Sequence, residues 1–371
     1  ASNVSIPQGA ERISGEGHTL IPGIVGMHDH IFYPAGSGHY NTLEYSAPRL
    51  YLAAGVTTAR TTGGMEPYAE LNLRDAILEG RIPGPRFRVT SPYLEGPGAF
   101  TLQMHELDGP EKAREMVRYW PSQGIDDIQP YTHIRRDELA AAIDEIHALG
   151  LKITGHLCSI GFREAAALGI DNLEHGIVTN TDFFPGKEPD VCPPSSQSRS
   201  ALLAQDVSGE AMQEVIRALV DNGVGVTSTL PVFEISVPGR PPVDSRVLEA
   251  MAPDARDSYL TRRAQVGAGQ GSMARALLET EMAFEREFVR AGGLLLAGPD
   301  PTGYGGVLPG FGDQREVELL VEAGFTPLEA IKVATHNGAL YLGELERIGT
   351  LEVGKQADMV LIKGDPSEDI T

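Results

Sequence analysis

Short apolar, β-branched runs alternate along this chain with stretches whose apolar residues recur every three or four positions. The first pattern suits strands and the second suits amphipathic helices. An opening run ends at His30, and Gly55–Arg60, Arg86–Pro92, Asp126–Tyr131, Lys152–His156, Ile170–His175, Val224–Val232 and Gly293–Gly298 follow as strands two to eight. Helical spacing fills Pro67–Leu78, Pro110–Tyr119, Leu139–Leu149, Phe162–Leu168 and Met273–Arg290. Strands alternating with helices eight times predict an α/β fold of the (β/α)₈ barrel type. A doubly wound open sheet is the alternative. No glycine-rich phosphate turn follows an early strand, which argues against its nucleotide-binding version.

The ends read differently. Val4–Leu20 and Gly349–Ile362 are short β segments separated by turn residues. They are expected to pair, so that residues 1–22 and 341–371 form one discontinuous small β-sandwich domain beside a barrel of residues 23–340. Two long Pro-rich connections, 180–200 and 234–270, follow strands six and seven. Loops of that length are uncommon unless they are functional or mobile, so both are candidate lids.

Composition narrows the partners. The 371 residues, 41% hydrophobic and 22% charged, carry a formal charge of -21, which disfavours nucleic acid and anionic membranes. No apolar run approaches the roughly twenty residues that cross a bilayer. Without a visible leader, a cytoplasmic location is expected, or a periplasmic or secreted one if a signal segment has been removed. Homo-oligomerisation stays open. The two cysteines, Cys158 and Cys192, lie on different predicted loops and allow at most one bridge.

Candidate chemistry sits at the strand ends. His28 and His30 are two apart, so on a strand they share one face. Such a pair alone is most often an ordinary pair of half-buried histidines. Strand five, however, ends at His156, strand six at His175, and strand eight is followed by Asp300. In a barrel these ends converge on one mouth. Four imidazoles and a carboxylate suit zinc. Tyr131 lies two residues after Gln129 and should share its inward face.

These pieces resemble a known family. Pro22–His30, Ala54–Arg60, Gly169–Gly176, Gly324–Ala330 and Gly349–Leu361 are similar, in order, to the amidohydrolase superfamily, in its imidazolonepropionase-like and prolidase-like branch of metal-dependent hydrolases. The resemblance implies a distorted TIM-like barrel, a β-sandwich built from both ends, and hydrolysis with one or two divalent metals. It implies metal ligation by His28, His30, His156 and Asp300. It makes His175 a ligand of a second metal or a partner of the reactive water, and Asp300 the group that moves a proton to the leaving group. It makes Tyr131 a donor to the substrate carbonyl. His133 and His105 are weaker substrate-binding candidates, with loop positions as the plainer reading.

One position departs from the family pattern. Binuclear relatives carry a carboxylated lysine on strand four, where this chain has Gln129, and Lys152 lies toward the barrel floor. One tightly held zinc on His28, His30, His156 and Asp300 is therefore expected, with a second ion weaker. The expected activity is hydrolysis of an amide-type C–N bond in a dipeptide or N-acyl amino acid, as in a prolidase-like metallopeptidase. Lactone or carbamate hydrolysis uses the same water activation. Deamination of a heterocyclic amine would require an acid where Ser159 stands, or Glu174 aimed into the pocket. A lapsed enzyme kept for binding or as a scaffold is the non-enzymatic alternative, supported by Gln129 alone.

Overall fold

The computed structural model describes residues 6–36, 39–99, 101 and 104–371, without the side chains of 34–36, 39 and 105. Its strands are β1 (His18–Pro22), β2 (Ile24–Asp29), β3 (Phe32–Gly36), β4 (His39–Thr42), β5 (Val56–Thr61), β6 (Arg86–Glu95) and β7 (His105–Glu106). They continue with β8 (Asp127–Pro130), β9 (Lys152–Gly155), β10 (Asn172–Glu174), β11 (Gly225–Ser228), β12 (Leu295–Ala297) and β13 (Met359–Lys363).

Eight parallel strands are joined in the order β12-β11-β10-β9-β8-β6-β5-β2, with short β7 added beside β6. These eight are the strands that the sequence pattern predicts, in the predicted order. The first and last nearly close on each other. Asp300 N donates to His28 O at 3.1 Å. Gly298 lies so close to the His28 backbone that a Cβ there would collide with it. The result is a distorted TIM-like barrel. Its strands read as unbroken apolar runs because helices cover their outer face; β2 is buried at every position.

The main apolar cluster joins the outward strand residues to the surrounding helices, with Phe284, Phe288, Leu219 and Ile146 fully buried. The barrel interior is polar instead. Arg60, Asp127, Thr154, Asn172 and Glu174 are all buried there. This inner polar layer forms the base on which the strand-end residues stand.

Three features differ from the sequence pattern. The ends do meet, as β1 antiparallel to β13, but the described residues form one two-stranded sheet and no second facing sheet. Residues 349–357 turn instead of extending, around Gly349 and Gly354 at φ of 84° and 99°. Secondly, the two long connections are not bare loops: they hold the helices Ser195–Leu203, Ser245–Ala250 and Pro253–Gly267. Thirdly, β3 and β4 make an antiparallel hairpin directly after the His-x-His strand. Cys158 and Cys192 are bridged, tying the turn after β9 to the connection after β10. Among the described residues no helix is long and apolar enough to cross a membrane.

Candidate active site

At the end of β2 the alternation of side chains sends His28 and His30 to the mouth and Asp29 outward. The ring centroids of the two histidines lie 5.2 Å apart. Asp300 reaches them from the strand end across the closure. Its Oδ1 is 3.3 Å from His30 Nε2 and 3.8 Å from His28 Nε2. One ligand atom from each of these three buried residues falls within 4.8 Å of the others, close enough for one metal ion. Behind them, Glu174 Oε2 lies 2.7 Å from His28 Nδ1. Arg60 Nη2 donates to Glu174 Oε1 at 2.6 Å, as does Asn172 Nδ2 at 2.7 Å, with Thr154 Oγ1 on the same oxygen. A carboxylate on the far nitrogen of an imidazole fixes its tautomer and raises its basicity as a ligand. The backbone of His30 is fixed separately: its N–H donates to the buried Tyr51 hydroxyl, which donates to His30 O.

His156 and His175 form the opposite wall. His156 Nδ1 and His175 Nε2 face each other at 3.2 Å, and His175 Nδ1 is 2.8 Å from Thr229 Oγ1. His175 and Asp300 are held at φ of 67° and 50°, a left-handed conformation that non-glycine residues rarely adopt and that gathers at functional sites. At these two positions the chain turns sharply off the strand and swings the side chain over the mouth.

The electrostatics suit ligation. Burial pushes the His30 imidazole down, pushes His175 well down, and lowers His156 to about 4, so these rings stay neutral with lone pairs free. Burial works to raise Asp300, but the surrounding His28, His30 and His175 rings outweigh it and hold the carboxyl well below the usual carboxylate range. Glu174 shows the same balance: burial is outweighed, first by Arg60 and then by His28.

A model of the amidohydrolase family matches residues 307–371. Ochratoxinase from Aspergillus niger is 34% identical over 97 residues, 26% of this chain and 19% of the ochratoxinase, so the match spans about a fifth of that relative. Among solved structures, a provisionally assigned prolidase from Bifidobacterium longum superposes with a TM-score of 0.71 at 24% identity, over 100% of this chain and 81% of that one. The chain is thus similar to amidohydrolases in sequence over residues 307–371 and shares the fold of that structure over its whole length. A Xaa-Pro dipeptidase with bound methionine in its active site also shares the fold, at a TM-score of 0.68 and 19% identity over 95% of this chain and 83% of that one. The structure of A. niger ochratoxinase gives 0.63 and 20%, over 95% and 78%.

Within this fold one cavity of ≈ 390 Å³ is lined by His28, His30, His156, His175 and Asp300 together, with Gln129 and Tyr131 beside them. Larger grooves, ≈ 820 Å³ by Pro241–Val247 and ≈ 980 Å³ by Val360 and Ile362, contain none of these groups, so chemistry and not size selects the site. Gln129 Oε1 is buried with no hydrogen-bond partner among the described residues. Tyr131 packs edge-on against His156, centroids 4.6 Å apart, and burial raises its hydroxyl so that it remains a proton donor. His133 is placed elsewhere: its N–H donates to Glu95 Oε1 at 2.6 Å, its ring faces the same carboxyl, and it does not line the cavity. The His105 side chain lies outside the described residues. Lys152 donates to Tyr341 O at 2.7 Å on the barrel floor, away from Gln129.

Two observations bear on deamination. Glu174 points at His28 and not into the cavity, and Ser159 Oγ donates to Ile134 O at 2.6 Å. Neither offers an acid to a substrate ring. Sequence reasoning missed Arg60, Tyr51 and Thr229 as supports. The signal available for Arg60 was a lone charge in an otherwise apolar strand, which must find a partner when buried.

Proposed function

We propose that this chain is a metal-dependent hydrolase that cleaves an amide-type C–N bond in a dipeptide or N-acyl amino acid. The observation that carries the reading is the convergence of two imidazoles and a carboxylate within 4.8 Å of one another, with His156 and His175 lining the same cavity. The donor set is that of a zinc site, all nitrogen and carboxylate oxygen. His28, His30 and Asp300 would hold the primary ion; His156, expected as its fourth ligand, faces His175 at 3.2 Å instead. His156 and His175 would hold a second ion more weakly, because Gln129 offers one neutral oxygen where relatives of the branch have a bridging group. A bound divalent ion supplies polarisation of a carbonyl and a water made acidic near neutral pH.

The chain's own residues supply the rest. Asp300 accepts a proton at its carboxylate and returns it to the leaving nitrogen, a role that needs a group ionised at rest. The Tyr131 hydroxyl, kept protonated by burial, donates to the oxygen that gains charge as the carbonyl is attacked. Phe32, Met65 and Tyr93 add apolar surface to the lining, beside Thr62 and Thr302.

The test is product release from a panel of dipeptides and N-acyl amino acids, after chelator treatment and after zinc is restored. Turnover that returns with zinc is the expected result. A chain that binds no zinc, or that turns over equally with the metal stripped, overturns the reading.

A further inference from the structure

Among the described residues, three fully buried glutamates lie outside the barrel, behind the wall that carries His175. Glu281 and Glu285 come from the helix Ser272–Arg290, and Glu316 from the helix Phe311–Glu322. The chemistry proposed above uses none of them, yet two of them grip the chain on either side of that histidine. Glu281 Oε2 accepts from Ile177 N at 2.8 Å and Val178 N at 3.1 Å. Glu316 Oε1 accepts from Ser228 Oγ at 2.5 Å and its Oε2 from Leu230 N at 3.0 Å. Between Ser228 and Leu230 stands Thr229, whose Oγ1 meets His175 Nδ1.

Both segments would otherwise be poorly determined. His175 and Gly176 follow each other in the left-handed region, at φ of 67° and 54°, and two such residues in sequence persist only when their surroundings hold them. Glu281 does so. It occupies the place where a Cβ on Gly176 would project, and it satisfies the two N–H groups that the sharp turn exposes. On the other side β11 ends at Ser228, so Thr229 has no ladder partner to fix it; Glu316 fixes the residues before and after it.

We infer that Glu281 and Glu316 are positioning residues for His175, one setting the turn that aims its ring and the other setting the Thr229 hydroxyl that selects its tautomer. With Nδ1–H donating to Thr229, Nε2 is left as the lone pair facing His156 and the cavity. Glu285 lies between the two. Burial and then the adjacent Glu281 raise its carboxyl, and burial raises Glu281 to about 8, which limits like-charge repulsion within the group.

The inference rests on reading His175 as a ligand, and the experiment separates the two. Zinc stoichiometry and affinity are measured by competition with a chromophoric chelator for the wild type, Glu281→Met, Glu281→Gln and Thr229→Val, with kcat and KM on the substrate found above. Glutamine keeps an oxygen for both N–H groups, so Glu281→Gln should bind its weakest ion within about threefold of the wild type. Glu281→Met and Thr229→Val should each weaken that ion about 10–100-fold and lower kcat while leaving KM near its wild-type value. A folded Glu281→Met with wild-type affinity overturns the inference, as does Glu281→Gln being equally damaged. Thr229→Val keeps every carboxyl in place, so it decides the matter if Glu281→Met does not fold. A wild type that binds no zinc defeats the hydrolase reading itself, a result distinguishable from either of these.

Discussion

The two walls of the cavity are built on different principles. On the β2 side, His28 is held by a carboxylate that is itself held by a buried guanidinium, and Asp300 closes the group as a second anion. On the β9–β10 side, His156 and His175 are held by a threonine hydroxyl and backbone turns, with the neutral Gln129 beside them. Ionic support raises the basicity of an imidazole and a neutral hydroxyl does so far less. On the function proposed above, what lies behind the two pairs of histidines would make one a strong and the other a weak ligand set.

The comparison breaks most visibly at Asp300. Asp300→Asn removes the proton acceptor while keeping an oxygen near His30, so kcat should fall about 10²–10⁴-fold with zinc still bound. Unchanged turnover would remove Asp300 from any proton-transfer role. Glu174→Gln attacks the support and not the ligand. It leaves the Arg60 guanidinium, 0% exposed, without its counter-ion, and should weaken zinc about 10–100-fold and cost about 3–5 kcal/mol in a denaturant titration. If affinity and stability both hold, the ionic brace is not what distinguishes the β2 side.

Gln129→Lys sharpens the contrast from the weak side. A lysine there can be carboxylated and bridge two ions, so elemental analysis should show a second equivalent retained at roughly tenfold lower free zinc. A wild type that already retains two equivalents would show that the neutral wall is no weaker. A last test concerns pH. Glu281 holds its proton to about 8 when folded but ionises near 4.5 when unfolded. The folded state therefore binds more protons between those values, and stability falls as pH rises through that window, by up to about 1.4 kcal/mol per pH unit for one group. Urea midpoints at several pH values should show a shallower decline in Glu281→Gln, and parallel curves would refute the assignment.

Much of this centre is legible in the sequence because strands impose a two-residue rhythm. His28 and His30, Thr154 and His156, and Gln129 and Tyr131 all keep step with the inward face. The rhythm fails at His175: Asn172 and Glu174 face inward, so alternation would send His175 outward with Leu173. Only the left-handed turn returns it to the mouth, and no spacing rule announces that turn. The braces are hidden for a related reason. Glu281 and Glu316 lie 104 and 86 residues from backbone that they grip, on helices whose pattern gives only their buried side. The Pro253–Gly267 helix escaped because its buried face is a single residue, Tyr259, although Pro253 at its first turn was a fair signal. His133 has a suitable spacing and nonetheless turns to the buried Glu95 carboxyl.

The bridge between Cys158 and Cys192 also acts on the unfolded chain. Joining residues 34 apart closes a ring whose lost freedom destabilises the denatured ensemble by about 4 kcal/mol on a chain-entropy account. That ring begins two residues beyond His156 and encloses His175, so the weaker wall of the cavity is the part of the molecule whose order depends on redox conditions. In a thiol-rich medium this wall should become less ordered first, with the His28 side keeping its ion-paired support.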